Sequence, residues 1–359
     1  MDVTELLSFA VQSGASDLHL SSGEPPLLRL NGDIKRIDHA ALSPDEVHNM
    51  AFDVMADSQR KVFQERHDID FSFELGDIAR FRVNVFMTRT GEAAVFRVIP
   101  SKIVTLDELS MPPVLKEICK RERGFVLCTG PTGSGKSTTL AAMVDFVNET
   151  QDVSIITIED PIEFVHRSKR ALVNQREIGM HTQSFANALR GALREDPDVI
   201  LVGEMRDLET ISLALTAAET GQLVFATLHT SSAPKTVDRV IDAFPSEQQN
   251  QVRTMLSESL QAIITQTLCK KKGGGRIAAC EVLMGVPAAR NLIREAKIHQ
   301  LPSVMQTGQK QGMQTLDMAL QDLVARGVIT REEAQAKSSN PQLFGAATVG
   351  TSLVGARSG

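Results

Sequence analysis

The sequence predicts an α/β protein: a P-loop-bearing sheet domain preceded by a smaller α+β domain. Three observations predict it. Gly130-Pro131-Thr132-Gly133-Ser134-Gly135-Lys136-Ser137 fits the pattern G-x-x-x-x-G-K-[S/T]. From Gly124 onward, short apolar runs alternate with helical stretches, which argues a parallel sheet. Before residue 100, three consecutive runs alternate with a period of two, which argues an antiparallel meander. A chain of 359 residues is expected to form two domains. We place them at 1–100 and 116–340, with a linker at 101–115 and a flexible tail at 341–359 that is rich in Gly, Ala and Ser.

The elements follow in order. Asp2 is placed to cap a short helix through Val11, and Leu18-His19-Leu20 reads as a strand. Leu27–Leu30 and Ile34–Ile37 flank Asn31-Gly32, a hairpin signal. Ser43, with Glu46 three residues on, starts a second helix. Ile69, Phe71, Phe73 and Leu75 share one strand face; Phe81, Val83, Val85 and Met87 share the next; Ala93–Ile99 is the third run. In the second domain, the strands are Phe125–Thr129, Val153–Ile158, Val199–Val202 and Leu223–Leu228. The helix leaving the P-loop spans Thr138–Val147. After Pro245 the chain reads as mostly helical, with one hairpin around Gly273-Gly274-Gly275.

Composition narrows the function. A net charge of −6, no Trp and no Tyr disfavour nucleic acid as a partner. The four cysteines, Cys119, Cys128, Cys269 and Cys280, form no C-x-x-C pair and read as reduced core thiols. No run of 18 apolar residues is present, so a cytoplasmic protein with only peripheral membrane contact is expected.

The P-loop carries the chemistry. Its backbone N–H groups point inward, its glycines admit close approach, and the next helix offers a positive dipole end. Lys136 would reach the β- and γ-phosphates of ATP or GTP, and the Ser137 hydroxyl would ligate Mg²⁺. Ligands of open α/β sheets bind beyond the carboxyl ends of the strands, so the residues that follow each strand are the candidates. They are Glu159, Asp160 and Glu163 after the second strand, Glu204 after the third, and His229 after the fourth. Asp198 precedes its strand, about 20 Å from Glu204 at ~3.3 Å per residue, and so lies at the wrong edge. Glu204 is therefore the better Mg²⁺-shell carboxylate, which leaves Glu163, Asp160 or Glu159 to orient or deprotonate water. Arg80, Arg82 and Arg97 lie in the meander as candidates for phosphate charge, with intradomain salt bridges as the alternative. Arg194 and Arg206 flank Glu204.

Three segments carry a family resemblance. Thr157–Phe164 resembles the Asp box of the type II/IV secretion ATPases, Leu193–Asp207 their atypical Walker B segment, and Ala218–Thr230 their His box. Gly14–Leu20 also fits. Within that superfamily, Arg290-Asn291-Leu292-Ile293-Arg294-Glu295 and Gly312–Asp317 are similar to the type IV pilus retraction (twitching-motility) branch. Ala289 stands where that branch usually has Ile. The resemblance covers residues 1 to about 340. It implies a homohexameric ring of RecA-like domains, each preceded by a PAS-like domain, with ATP and Mg²⁺ bound between them. It further implies Glu163 as general base, Glu204 in the Mg²⁺ shell with Glu159 and Asp160 as weaker candidates, His229 as sensor, and Arg82 and Arg97 completing the site. The implied partners are an inner-membrane pilus platform protein and an accessory pilus ATPase. The rival readings are an accessory pilus ATPase paralogue, a DNA-translocating ring motor and a non-catalytic nucleotide-sensing scaffold.

Overall fold

In the computed structural model, which describes residues 2–30, 32–76, 78–99 and 102–345, the chain divides into two compact units. The first comprises Met1–Ile103, Thr157–Ser168 and Val173–Ala188; the second comprises Val104–Ile156, Lys169–Leu172 and Leu189–Gly359.

The first unit opens with the helix Val3–Gln12. The Asp2 carboxylate accepts from the Glu5 N–H while the Glu5 carboxylate accepts from the Asp2 N–H, so two orphan donors are satisfied reciprocally. Ser43 and Glu46 repeat the device at the helix Pro44–Asp53. A third helix, Asp57–Arg66, buries only Phe63, so it carries little of the apolar periodicity that reveals a helix in sequence. The strands are β1 (Asp17–Ser21), β2 (Leu27–Leu30), β3 (Asp33–Arg36), β4 (Asp68–Leu75), β5 (Ala79–Thr88) and β6 (Gly91–Ile99). They form an antiparallel sheet in the order β3-β2-β1-β6-β5-β4. In β5, Phe81, Val83 and Val85 are fully buried while Arg80, Arg82 and Asn84 take the opposite face. Each buried side chain of that kind stabilises by about 1.5–3 kcal/mol. β2 and β3 pair as a hairpin, but Asn31 of the expected turn lies outside the described residues, as do Pro100 and Ser101 at the start of the expected linker.

The second sheet contains β7 (Gly124–Thr129), β8 (Ser154–Glu159), β9 (Leu172–Glu177), β10 (Val199–Val202), β11 (Leu223–Leu228), β12 (Leu260–Lys270) and β13 (Arg276–Met284). Their order is β13-β12-β7-β11-β10-β8-β9. Every residue of β7 and β11 is buried, as expected for strands covered on both faces. β7 runs parallel to both neighbours, β11 and β12, whereas β13 is antiparallel to β12. The sheet is thus mixed where the sequence suggested a parallel one. The expected hairpin at Gly273–Gly275 is present, but its arms are 11 and 9 residues long and carry β12 into the sheet beside β7. β12 is buried on both faces over Ala262–Gln266, so it shows none of the alternation that marks a half-exposed strand.

The expected tail begins later than its composition suggests. Asp317 accepts from the Ser338 hydroxyl and from both the N–H and hydroxyl of Ser339. Phe344 is buried in a small cluster with Leu320, Leu323, Ile329 and Ala334. Apolar burial thus holds the chain through the turn Pro341–Phe344; residues 346–359 lie outside the described residues.

The helix Pro287–Arg294 carries the motif around Arg290 and buries Ala289 and Ile293 completely. The Arg290 guanidinium donates to the carbonyls of Gly285 (2.6 Å), Glu258 (2.9 Å) and Leu260 (3.0 Å). It therefore caps the C-terminal end of the helix Gln249–Ser259 with a cation, where the helix dipole favours one. A Cβ added at Gly285 would meet the Leu260 carbonyl oxygen at 1.9 Å. Gly285→Ala is therefore expected to destabilise by about 2 kcal/mol or more, read by urea unfolding. An unchanged midpoint would show that the backbone relaxes freely here.

Candidate active site

The P-loop leaves the buried end of β7. Gly130, Gly133 and Gly135 have φ values of 142°, 77° and 89°, a region that side chains other than Gly rarely adopt. At Gly130 space is limiting as well: a Cβ there would lie 2.4 Å from the Gln266 carbonyl oxygen and 2.6 Å from the Ser134 hydroxyl. Pro131 and Thr132 are exposed at the loop's rim. Helix Lys136–Thr150 starts without a side-chain cap, because its N-cap residue is Gly135. Its first N–H groups are left for an anion, the Ser134 hydroxyl is buried without a hydrogen-bond partner, and the Lys136 ammonium rests on the carbonyls of Gly130 (2.9 Å) and Pro131 (3.1 Å). This donor set fits a phosphate group. Ser137 is exposed and Thr138 half-buried on the helix's first turn.

In the same unit, Glu204 and His229 come together. His229 Nε2 lies 3.1 Å from Glu204 Oε1, and Arg206 Nη2 lies 2.7 Å from Glu204 Oε2. The Arg206 hydrogen bond, more than the burial that opposes it, holds the Glu204 carboxyl below the ordinary carboxylate range. The backbone around Glu204 is pinned to β11: the Thr227 hydroxyl donates to the Gly203 carbonyl at 2.5 Å, and the Met205 N–H donates to the Thr227 carbonyl at 3.2 Å. Asp198 sits at the opposite end of the strand, where its carboxylate accepts from the Ser154 N–H. Arg194 is exposed beyond the helix Phe185–Ala192.

The remaining candidates belong to the first unit. Glu163 and Asp160 are exposed, and the Asp160–Pro161 bond is cis. Glu159 is partly buried and accepts from the Thr157 hydroxyl (2.6 Å) and the Gln175 amide (3.1 Å), contacts that occupy it as an internal group. Arg82 and Arg97 stand directly opposite each other on β5 and β6. Two like charges so placed repel, and each has a carboxylate beside it. Arg82 grips Asp70 through two nitrogens, its Nη2 at 2.5 Å, and Arg97 Nε lies 2.9 Å from Asp17. Hydrogen bonding to Asp70 raises the Arg82 pKa, and the nearby charges of Glu163 and Asp160 add to that. Arg80 is mostly enclosed and paired with the buried Glu177 at 2.7 Å. The Glu177 carboxylate also accepts from the Ser72 hydroxyl and the Ile162 N–H. Arg82 and Arg97 thus form the intradomain pairs that were the alternative reading, whereas Arg80 pairs with Glu177, a residue of the same compact unit that lies beyond residues 1–100.

Residues 1–339 match the model of the family described as "Type II/IV secretion system protein". The chain belongs to that family. It is 61% identical over 344 residues to the "Type IV pilus retractation ATPase PilT" of Pseudomonas aeruginosa, covering 96% of this chain and all of that one. It is 59% identical over 318 residues to a "Twitching motility protein" of Neisseria gonorrhoeae, covering 88% of this chain and 85% of the relative. A solved structure titled "Crystal Structure of the Pilus Retraction Motor PilT and Bound ADP" superposes with a TM-score of 0.90 at 49% identity, over 96% of this chain and 98% of that one. The α/β fold with mixed sheets is thus that of the family's ATPases. Among the described residues, no helix is long and apolar enough to cross a membrane.

Two residues with structural claims on the site were not read from the sequence. Gln266 on β12 donates to the Ser134 carbonyl (2.6 Å) and accepts from the Thr139 hydroxyl (2.9 Å), tying loop to helix. An amide two residues after the apolar run Ala262–Ile264 was the available signal, but the strand beside which it falls is set only by the fold. Glu177 lies in β9, an edge strand too polar to show as a strand at all.

Burial, reinforced by the charge of Glu163, pushes the Glu159 carboxyl up to about 7 against hydrogen bonds from Thr157, Gln175 and the Glu163 N–H. A carboxyl raised on folding holds its proton more tightly in the native state. Its contribution is full below the unfolded value near 4.5 and is lost as pH rises through about 7. Glu159→Gln, neutral throughout, is expected to reduce that loss of stability by about 2 kcal/mol. Urea titrations of both proteins near about pH 4 and about pH 8 measure it, and parallel pH profiles would contradict it.

Proposed function

We propose that this chain is a Mg²⁺-dependent, ATP-hydrolysing motor that drives type IV pilus retraction. The observation that carries the reading is near-full-length similarity to a pilus retraction ATPase combined with an intact P-loop of phosphate-binding geometry. In this reading, residues 1–100 form the PAS-like domain, 101–115 the linker and 116–340 the RecA-like ATPase domain of a homohexameric ring. The ring works in the cytoplasm, at the inner-membrane platform protein of the pilus, alongside an accessory pilus ATPase.

The residues divide the chemistry as follows. The N–H groups from Gly130 to Thr138 bind the phosphates, and Lys136 leaves its two carbonyl partners to neutralise charge as it develops on the γ-phosphate. Ser137 and Glu204 would hold Mg²⁺, which supplies Lewis-acid stabilisation of the phosphate oxygens. A carboxylate kept ionised by Arg206 is suited to that shell, and His229, bonded to the same carboxylate, senses its position. Glu163, exposed and without the enclosing contacts of Glu159, orients and deprotonates the attacking water. Arg82 and Arg97 exchange their carboxylate partners for phosphate; the partial exposure of both side chains, 40% and 66%, permits that exchange. Loss of the γ-phosphate contacts then lets the subunit reopen, and repeated around the ring this draws pilins back into the membrane.

Lys136→Ala and Glu204→Ala are each expected to lower ATP turnover at least about 100-fold. Turnover near wild type in both would sink the assignment. In cells lacking this chain, labelled pili should be numerous and static, and only the wild-type chain should restore their dynamics. Loss of pili would mean extension instead, and unchanged dynamics would mean an accessory role.

A further inference from the structure

β7 and β11 are neighbours in register, with Thr129 opposite Leu228. The P-loop and the segment that carries His229 therefore leave the sheet side by side. Three threonines join these two exits. The Thr230 and Thr236 hydroxyls are 2.6 Å apart, and the Thr236 hydroxyl is 3.4 Å from that of Thr129, the residue before Gly130. Thr129 is anchored in turn to Thr265 on β12 at 2.8 Å. Thr129 and Thr236 are fully buried, and Thr265 is 4% exposed.

The three hydroxyls share too few protons to satisfy every contact at once. Thr236 has one proton, which is shared between the Ser232 carbonyl at 2.8 Å and the more distant Thr129 hydroxyl at 3.4 Å. Thr230 must then donate to Thr236, and the Thr236 proton is the one that can go either to the Ser232 carbonyl or to Thr129. The helix Ala233–Asp242 that carries Thr236 is held at its start by Glu281, whose buried carboxylate accepts from the Ala233 N–H at 2.7 Å. Helix and β12 are thus anchored, and the P-loop begins at the residue after Thr129. At 3.4 Å, the Thr129–Thr236 step is longer than an ordinary O–H···O bond. A shift of a few tenths of an ångström at the P-loop would close it.

We propose that Thr129, Thr236 and Thr230 form a hydroxyl relay that closes when phosphate occupies the P-loop and sets His229 against Glu204. Thr236 is the central positioning residue. The relay touches neither phosphate nor metal; it fixes the backbone from which His229 reaches Glu204 at 3.1 Å. It rests on the ATPase reading above and adds to it the route by which the P-loop and the His229 segment inform each other. The effect is on the chemical step, since the P-loop itself remains intact.

The test measures ATP turnover and ADP affinity for wild type, Thr236→Val, Thr236→Ser and Thr230→Val as purified full-length chains. Valine keeps the shape and removes the hydroxyl; serine keeps the hydroxyl. The relay predicts a fall in kcat of about five- to tenfold for each valine variant, with KM for ATP and Kd for ADP within about twofold of wild type. Thr236→Ser should recover kcat to within about twofold, and the double valine variant should lose no more than either single one. Unchanged kcat in the valine variants, failure of serine to rescue, or additive losses would overturn the relay while leaving the ATPase reading intact. A wild-type chain without ATP turnover would overturn both. Thermal melting identifies the folded variants; if Thr236→Val does not fold, Thr230→Val, at a partly exposed position, decides the matter alone.

Discussion

The candidate site depends on one buried strand. β7 lies between β11 and β12 with all six residues buried, and its end is where the chain turns into the P-loop. A loop that presents its N–H groups to an anion has given up most of its own backbone hydrogen bonds, so its shape must be held from outside. Gln266 does this from β12. Its carboxamide satisfies the Ser134 carbonyl on one side and the Thr139 hydroxyl on the other, while its backbone carbonyl closes off the space beside Gly130. The glycines make the loop conformation accessible, and the neighbouring strand makes it the one adopted.

Charge is managed in the same local way. The outward face of the first sheet gathers Arg80, Arg82 and Arg97, and each is met by a carboxylate within its own unit. The pairs differ in kind. Arg80–Glu177 is largely enclosed and its carboxylate is further braced by Ser72 and Ile162, so removing Arg80 would strand a charge in a poorly solvated place. Arg82–Asp70 and Arg97–Asp17 leave their arginines accessible, and pairs of that kind contribute little to stability. Arginines whose partners cost little to leave are available for other anions; Arg80 is not. In the second unit, Glu204 is the carboxylate and Arg206 and His229 are its companions.

Sequence by itself determined the local elements, because their causes are local. Asp2 with Glu5 and Ser43 with Glu46 cap helices within four residues, and the alternation of Phe81, Val83 and Val85 marks a face wherever the strand is placed. The P-loop pattern, its flanking strand and helix, and the exclusion of Asp198 from the carboxyl edge also follow from spacing alone. The family resemblance was legible for the same reason, being carried by short contiguous segments.

Tertiary structure decided what depends on neighbours distant in the chain. β12 is buried on both faces and β9 is a polar edge strand, so neither shows a strand's period; only pairing with β7 and the register of the whole sheet define them. That pairing brings Gln266 to a loop more than a hundred residues earlier and sets Thr265 beside Thr129. The partners of Arg80, Arg82 and Arg97 were equally invisible, since a charge in sequence does not reveal which opposite charge folding will bring to it. The stretch from residue 341 was expected to be a flexible tail by composition, yet a small apolar cluster holds it as far as Phe344. Composition reports what a segment can bury alone, whereas burial is conferred by the surface it meets.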